Sequence, residues 1–244
     1  MKKIALILAL VFMLTVTLVS CGGNYDDGAP DLGNGNPPNN ESSGDDDAKS
    51  DVQYDRKYMG YTYNIHNGTS IEITAYDFEY SEESDDTSGD EEEFETIELI
   101  IPDKINGISV TKIGSRAFAS NRTLSSVVVP EGVTEIADEA FWFNYCLEGV
   151  TLPASLKTLG KRVFNYCPDL KTLEIPEAVT EIPAELCDEC LALETLTIGS
   201  GVTKIASKAF NNCVSLETLN FNGNASELVV EDGNDAVVEL LSAQ

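Results

Sequence analysis

The sequence predicts an α/β solenoid in which a 23-residue unit forms one turn and successive turns stack on each other. The first observation is a leucine that recurs every 23 residues, at Leu124, Leu147, Leu170, Leu193 and Leu216. The second is that apolar and polar residues alternate after each leucine, which is typical of a strand. A regular period of 20–50 residues is the signature of stacked repeats. Such arrays present extended surfaces rather than deep pockets.

Each predicted unit contains a strand, a bend, a second extended segment and a short helix. The strand has the pattern Leu-x-x-apolar-x-apolar, and a proline, which lacks an N–H donor, favours its end at Pro130, Pro153 and Pro176. An apolar pair such as Val133/Ile136 marks the second segment, and a pair such as Ala140-Phe141 marks the helix. Equivalent strands should pair in parallel about 4.8 Å apart. The solenoid would then carry parallel strands on one face and short helices on the other.

Two motifs resemble the BspA-like class of leucine-rich repeats. They read Val133-Thr-Glu-Ile136-Ala-Asp-Glu-Ala-Phe141 and Val202-Thr-Lys-Ile205-Ala-Ser-Lys-Ala-Phe210. The resemblance covers residues 97–221 and implies a leucine-rich-repeat solenoid with 23-residue repeats. Residues 97–118 form a looser first copy, with a five-residue insertion predicted to lie in a loop within residues 103–109. The same resemblance implies a role in adhesion to host proteins or other cells.

Residues 1–20 have the composition of a bacterial lipoprotein signal peptide. Lys2 and Lys3 precede an apolar run over residues 4–19, which is too short and too poorly flanked for a transmembrane helix. The run ends in Leu18-Val19-Ser20-Cys21, which resembles a lipobox. By that resemblance Cys21 becomes the mature N-terminus and carries diacylglycerol on its sulfur. An ordinary secretory signal with a chance cysteine is the alternative.

The predicted location is the bacterial cell envelope, with a lipid anchor at Cys21 in the outer membrane. Asp26 and Asp27 resemble, imperfectly, the acidic export signals of surface lipoproteins, so exposure on the cell surface and a periplasmic orientation both stay open. Residues 21–50 are rich in Gly, Asn, Asp, Ser and Pro, and we expect them to form a disordered tether.

The net charge of −27 excludes one class of partner. Residues 22–95 hold 21 acidic and 3 basic side chains, and residues 96–244 hold 21 acidic and 10 basic ones. A surface this acidic repels nucleic-acid phosphates and anionic headgroups. We therefore expect no nucleic-acid partner, and contact with a membrane only through the lipid anchor.

Both ends of the repeat array are predicted to be capped, because terminal repeats must cover an open core. Residues 51–96 form the N-terminal cap, in which alternating residues around Asn67-Gly68 predict a hairpin. An acidic loop, residues 77–95, interrupts this cap. A mobile, self-repelling loop is the default interpretation, and calcium binding is the alternative, although the spacing fits no EF-hand. Residues 222–244 form the C-terminal cap, either as a hairpin or as a strand and helix.

The sequence predicts no metal site, cofactor or catalytic residue. Cys167, Cys190 and Cys213 recur every 23 residues and should stack as buried thiols, while Cys187 takes the phenylalanine position of its repeat. A lone C-x-x-C motif is weak evidence for zinc or redox chemistry. His66 precedes the Asn67-Gly68 turn and is interpreted as an exposed turn residue. An enzyme would need clustered titratable groups in a concave pocket.

Two surfaces are candidate binding sites, and the sequence does not rank them. One is an aromatic patch that breaks the repeat pattern, at Trp142, Phe143, Tyr145 and Tyr166; exposed aromatic residues often anchor interfaces, and local packing against the preceding repeat is the alternative. The other is the outward face of the main sheet. It consists of two columns of mostly small polar residues, Ser126, Thr172, Thr195 and Thr218 with Gly149, and Val128, Thr151, Glu174, Thr197 and Asn220.

The predicted function is that of a non-enzymatic binding module in a cell-envelope lipoprotein. A protein ligand is expected, such as a host extracellular-matrix or surface protein bound in adhesion. The alternative is an accessory lipoprotein that captures glycans or polypeptides for an uptake or assembly complex. Function follows from a site rather than from a fold, so this assignment rests on family resemblance.

Overall fold

The computed structural model describes residues 52–58, 60–77 and 96–243. The predicted signal peptide, Cys21, the tether and all of the acidic loop except Asp77 lie outside the described residues. In chain order the elements are β1 (Val52–Tyr58), β2 (Tyr61–His66), β3 (Ser70–Tyr76), β4 (Ile97–Ile100), β5 (Lys104–Ile105), β6 (Ile108–Ile113), β7 (Leu124–Val128), β8 (Glu135–Ile136), β9 (Gly149–Thr151), β10 (Thr158–Leu159), β11 (Thr172–Ile175), β12 (Glu181–Ile182), β13 (Thr195–Ile198), β14 (Lys204–Ile205), β15 (Thr218–Phe221), β16 (Val229–Val230) and α1 (Asp235–Ser242).

The main sheet confirms the predicted parallel solenoid. Its six strands lie in the order β4-β7-β9-β11-β13-β15, so each strand pairs with the strands of the turns before and after it. The pairing keeps the 23-residue register, as in Thr172 with Thr195 and Thr195 with Thr218. The recurring leucines, from Leu124 to Leu216, are buried behind this sheet. β9 and β11 share the shortest pairing in this sheet, a single residue pair between Gly149 and Thr172.

A second face is formed by the shorter strands and continues into the N-terminal hairpin. β2 and β3 pair around Asn67-Gly68 as predicted, and β3 then pairs in parallel with β6. Strand β1, which the sequence analysis missed, extends this sheet on the far side of β2. The insertion in the first repeat is a small hairpin rather than a plain loop, because β5 and β6 pair across Asn106-Gly107, where both φ angles are positive.

Pro183 divides this second face into two sheets. The strand order is β1-β2-β3-β6-β8-β10 in one sheet and β12-β14-β16 in the other, and no pairing joins β10 to β12 in the described part of the chain. At the equivalent position Gly160 donates its N–H to Ile136, and Ala206 donates to Ile182. Proline has no N–H to donate. The ladder therefore stops between these two turns.

The segments predicted as short helices are not helical; α1 is the only α-helix in the described residues. Two residues in each turn have φ between 56° and 65°, whereas an α-helix requires φ near −63°. These residues form two columns, one of Arg116, Glu139, Arg162, Glu185 and Lys208, and the other of Ser120, Phe143, Tyr166, Glu189 and Asn212. A non-glycine residue in this region costs about 1–2 kcal/mol.

Hydrogen bonds between turns offset that cost. In one turn the N–H groups of Glu139, Phe141 and Phe143 donate to the carbonyls of Lys161, Val163 and Asn165 in the next turn. Alternate residues therefore pair between turns, as they do in a sheet. A helix would direct these donors along its own axis and leave the neighbouring carbonyls without partners. The positive φ angles thus convert the predicted helical side into a third ladder between turns.

The core follows the same register. Phe118, Phe141 and Phe164 stack with ring centroids 5.2 and 5.7 Å apart, within the range preferred by aromatic pairs. Cys187 takes the next place in this column, as predicted, before Phe210 resumes it.

A buried column of asparagine and cysteine lies three residues after the phenylalanine column. The amide of Asn144 donates to the carbonyl of Phe118 at 2.9 Å, and the thiol of Cys167 donates to that of Phe141 at 3.3 Å. Cys190 and Cys213 donate in the same way to Phe164 and Cys187. The predicted stack of buried free thiols is confirmed for Cys167, Cys190 and Cys213, and Cys187 is a fourth buried free thiol that lies in the phenylalanine column. Each of the three stacked thiols donates to a carbonyl of the preceding turn.

The C-terminal end is closed by a strand and a helix, which resolves the alternative left open by the sequence. β16 pairs with β14, and α1 buries Val237 against the last turn. The side chain of Asn234 replaces the missing next turn: its Oδ1 accepts from the N–H of Phe210 at 3.0 Å, and its Nδ2 donates to Ala206 at 3.0 Å. These bonds satisfy backbone groups that would otherwise be buried without partners.

A column of alternating charge runs along the turn side. Arg116, Glu139, Arg162 and Glu185 follow one another at 23-residue spacing, and ion pairs join each to the next. The guanidinium of Arg162 hydrogen-bonds to Glu185 and lowers the pKa of that carboxyl below its usual range. Stacking in register would place like charges together, and the alternation of sign avoids this.

We predict that Glu185→Gln lowers the free energy of unfolding by about 0.5 kcal/mol at pH 7, the typical value of a partly exposed pair. A lowered carboxyl pKa stabilises the fold above the unfolded pKa of about 4.3, and this contribution is lost as the pH falls through the folded-state pKa. The difference between variant and parent should therefore vanish in acid. Urea unfolding at pH 7 and at about pH 3 measures it, with exposed Glu177→Gln as the control; an equal difference at both pH values would contradict the prediction.

Candidate binding surfaces

The predicted aromatic patch is a single cluster centred on Phe143. The centroid of its ring lies 4.2 Å from Trp142, 5.6 Å from Tyr145 and 4.6 Å from Tyr166. Tyr166 stacks on Phe143 at an interplanar angle of 18°, because the two residues are 23 positions apart and have the same left-handed backbone. The structure therefore brings all four predicted residues together on the turn side.

The cluster is partly exposed, and contacts with Asn165 and Arg116 fix its indole ring in place. Tyr166 is 42% exposed, whereas Trp142, Phe143 and Tyr145 are half-buried. The indole N–H of Trp142 donates to Oδ1 of Asn165 at 3.1 Å. The guanidinium of Arg116 lies 5.5 Å from the centroid of the indole ring, within the range of a cation–π contact. These contacts fix the orientation of the rings before any partner arrives, which lowers the entropic cost of binding.

One residue beside the patch is buried. Asn165 follows Trp142 at 23-residue spacing and is only 4% exposed, whereas Trp142, Asp188 and Asn211 in the same column are half-exposed. Its side chain lies next to the indole and accepts the hydrogen bond of Trp142. In the next pair of turns Asn211 instead donates to Asp188 at 2.8 Å. Polar residues in this column thus form hydrogen bonds with side chains of a neighbouring turn.

The predicted sheet face is also formed, with a gradient along it. Thr172, Thr218, Thr151, Glu174 and Asn220 are exposed, and Ser126, Thr195 and Thr197 are half-buried. At one end Val128 is 38% exposed beside Ile100, which is 53% exposed. Sequence reasoning missed Ile100, although its alignment with Val128 in the first repeat could have identified it. The face therefore passes from apolar in the early turns to hydroxyl and amide groups in the later ones.

A groove of about 640 Å³ lies where the second face is interrupted. Its lining includes Glu135, Asp138, Lys157, Lys161 and Pro183. Asp138 serves the fold here, since its Oδ1 accepts the backbone N–H of Lys161 at 2.8 Å. Gly160 is required at this point because a Cβ atom would lie 2.4 Å from the backbone nitrogen of Asp138. Sequence reasoning did not find this groove.

Titratable groups elsewhere serve structural contacts. His66 is the last residue of β2 rather than an exposed turn residue, and its Nε2 lies 3.1 Å from Oε2 of Glu72 with 37% of its side chain exposed. Lys112 forms ion pairs with Glu72 and Glu135 and so ties the N-terminal hairpin to the first repeats. Burial opposes the charge on Lys112, but these two carboxylates outweigh it and raise the pKa.

Two further features concern metals and membranes. In residues 52–58, 60–77 and 96–243, no group of three or more histidine, cysteine, aspartate or glutamate side chains has an arrangement that would hold a metal ion. Within the same ranges, no helix combines the length and the apolar character that a membrane span requires.

Comparisons with known proteins agree with the repeat geometry. The sequence model of the BspA-type leucine-rich repeat region matches six copies over residues 93–228, more than half of the 244 residues. No curated protein matches the chain.

Two crystal structures of bacterial leucine-rich repeat proteins are similar to it. One, from T. pallidum, has 18% identity and a TM-score of 0.53, and the match covers 76% of this chain and 95% of that one. The other, from Bacteroides ovatus, has 27% identity and a TM-score of 0.57, with 68% of this chain and 41% of that one covered.

We predict that Trp142→Phe destabilises the fold by about 1 kcal/mol, because Asn165 then keeps a buried acceptor without its donor. Tyr166→Phe, which removes a hydroxyl from an exposed ring, is the matched control and should change stability by less than about 0.5 kcal/mol. Urea unfolding followed by circular dichroism measures both variants. Equal losses in the two would show that the indole hydrogen bond does not anchor the cluster.

Proposed function

The chain belongs to the BspA-type leucine-rich repeat family, and we propose that it is a cell-envelope binding protein that captures a protein partner with its aromatic cluster. Proteins of this family are generally binding modules associated with the cell surface or envelope, and leucine-rich repeat proteins typically bind proteins. The proposal extends this to a particular surface and to a role in adhesion to host proteins or other cells.

The preorganised aromatic cluster is the observation that carries the proposal. Trp142, Phe143 and Tyr166 occupy positions that are polar in later turns, such as Asp188 and Glu189. Large aromatic residues dominate the binding energy of many interfaces. The surrounding body is acidic, with 21 acidic and 10 basic side chains in residues 96–244. This favours a partner that combines an apolar socket with a basic rim.

The outward face of the main sheet supports a second candidate. Its exposed hydroxyl and amide groups, including Thr172, Thr218 and Asn220, are suited to hydrogen bonds with a glycan or an extended polypeptide. In that case the protein would be an accessory lipoprotein of an uptake or assembly complex.

Domain organisation enters the proposal as well. Residues 1–20 are the signal peptide, Cys21 carries the lipid, and residues 21–50 form the tether. Residues 51–96 and 222–244 cap the repeats of residues 97–221. The tether would hold the solenoid away from the outer membrane, where its surfaces are free to meet a partner.

Binding of the purified protein to immobilised host extracellular-matrix proteins and to a glycan array distinguishes the two candidates. We expect binding to a matrix protein that weakens at least tenfold in Tyr166→Ala, since loss of an exposed aromatic anchor costs about 2 kcal/mol of binding. The melting temperature should change little. Trp142 is the only tryptophan in the chain, so its fluorescence reports engagement of the cluster directly.

Thr172→Ala on the sheet face is the matched control and should leave matrix-protein binding unchanged. If Thr172→Ala weakens binding and Tyr166→Ala does not, the sheet face is the site. Binding to glycans alone would favour the accessory lipoprotein, and the absence of binding to either panel counts against both candidates.

The lipid anchor is tested separately. We predict that Cys21→Ser moves the protein from the membrane fraction to the soluble fraction, because two acyl chains anchor a protein stably and serine offers no sulfur to carry them. Ser20→Ala keeps a small residue before the cysteine and should stay in the membrane fraction. Membrane retention of Cys21→Ser would refute lipidation at this cysteine, and protease treatment of intact cells determines which way the protein faces.

A further inference from the structure

We propose that Cys187 and Cys190 are an oxidation site and form an intramolecular disulfide when the protein folds in the presence of a disulfide donor. Their sulfur atoms lie 2.6 Å apart, and both residues are fully buried. That separation is longer than a covalent S–S bond, which is about 2.05 Å. It is shorter than the distance between two thiol sulfurs that share a weak hydrogen bond.

The repeat pattern explains why this occurs in one turn. Residues three positions apart in this segment both point inward, and in the other turns the first of them is a phenylalanine, as at Phe164 and Cys167. Only the turn with Cys187 has a sulfur at both inward positions. Asp188 and Glu189 between them are half-exposed, and the positive φ of Glu189 turns the chain so that Cys190 faces Cys187.

The two cysteines differ in what they contribute to the reduced fold. Cys190 donates its S–H to the carbonyl of Phe164 at 3.1 Å, as its column requires. Cys187 belongs to the phenylalanine column, in which no such donor is needed. Oxidation would therefore remove one weak hydrogen bond, at Phe164, in exchange for one covalent bond. A cysteine side chain is also smaller than the phenylalanine found at this position elsewhere, so the sulfurs have room to adjust.

Burial determines when the reaction takes place. It raises the pKa of Cys187 to about 11 and that of Cys190 well above its usual range. The thiolate is the reactive form, and both side chains are fully enclosed, so an oxidant reaches the sulfurs only when the turn opens. The disulfide is acquired during folding or local opening and is then protected from reductants by the same burial.

The reaction is thiol–disulfide exchange with a small or protein disulfide as the oxidant. One cysteine loses its proton and attacks the donor disulfide, which releases one donor thiol and leaves a mixed disulfide. The second cysteine then loses its proton, attacks the protein sulfur of that intermediate and releases the second donor thiol. The pair gives up two electrons and two protons, and the donor is reduced to two thiols.

Trypsin provides a clean test. It cuts after Lys171 and Lys204, and the peptide 172–204 holds Cys187 and Cys190 with no other cysteine. The purified protein is refolded in a mixture of reduced and oxidised glutathione, acid-quenched, denatured and treated with N-ethylmaleimide. We expect this peptide to carry no label and to weigh two hydrogen atoms less than its reduced form. After dithiothreitol in denaturant it should carry two labels, while the peptides with Cys167 and Cys213 carry one label throughout.

Two labels on peptide 172–204 after oxidative refolding would overturn the proposal. A disulfide joining Cys190 to Cys167 or to Cys213 would overturn it as well. In the matched variant Cys187→Ser, Cys190 should be fully labelled under the same conditions, and an unlabelled Cys190 would show that it has another partner. Because the test uses neither membrane nor ligand, its outcome is independent of the proposed binding function.

Discussion

The hydrogen bonds between successive turns are the constraint on which the rest of this molecule depends. Its strands are only two to seven residues long, so no turn can satisfy its own backbone. On the main sheet the backbone N–H of Lys171 donates to the carbonyl of Glu148, and that of Glu194 donates to the carbonyl of Lys171. On the turn side the N–H of Phe164 donates to the carbonyl of Leu186. A residue added to one turn must be looped out, as the small hairpin at Asn106 shows, because otherwise every later donor would face the wrong carbonyl.

Fixed register means that each side chain lies beside its own equivalents. Phenylalanines stack on phenylalanines, and asparagine and cysteine repeat one hydrogen bond to the preceding turn. Charged side chains in such a column would repel, and the alternation of Arg116, Glu139, Arg162 and Glu185 turns repulsion into a chain of ion pairs. Side chains outside these columns make fewer of the contacts that hold successive turns together. The aromatic cluster and the sheet face lie at such positions, where the sequence changes from turn to turn.

The period alone was enough to predict the parallel sheet, the thiol column and the role of Cys187 as a phenylalanine substitute, because these follow from register and hydrophobicity. It could not predict the conformation of the turn side. Residues such as Glu139 and Phe143 have ordinary helix propensities, and only the demand for donors toward the next turn places them at positive φ. The burial of Asn165 depends in the same way on one neighbour, Trp142. The break at Pro183 was readable in principle, since proline falls at a position that donates in the other turns, but the short strands beside it gave no pattern to signal a ladder.

The interruption at Pro183 makes one interface between neighbouring turns mechanically weaker than the others. Between the turn of β9 and β10 and the turn of β11 and β12, the second face has no ladder and the main sheet pairs through Gly149 and Thr172. The turn side stays closed across the same interface, through Phe164, Tyr166 and the ion pair of Arg162 with Glu185. In a repeat array the coupling between neighbours sets how force and unfolding spread. Force applied along the solenoid axis would separate these two turns first, and the hydrogen bonds of the turn side would break last. The turns before and after this interface would then unfold as two cooperative units rather than one.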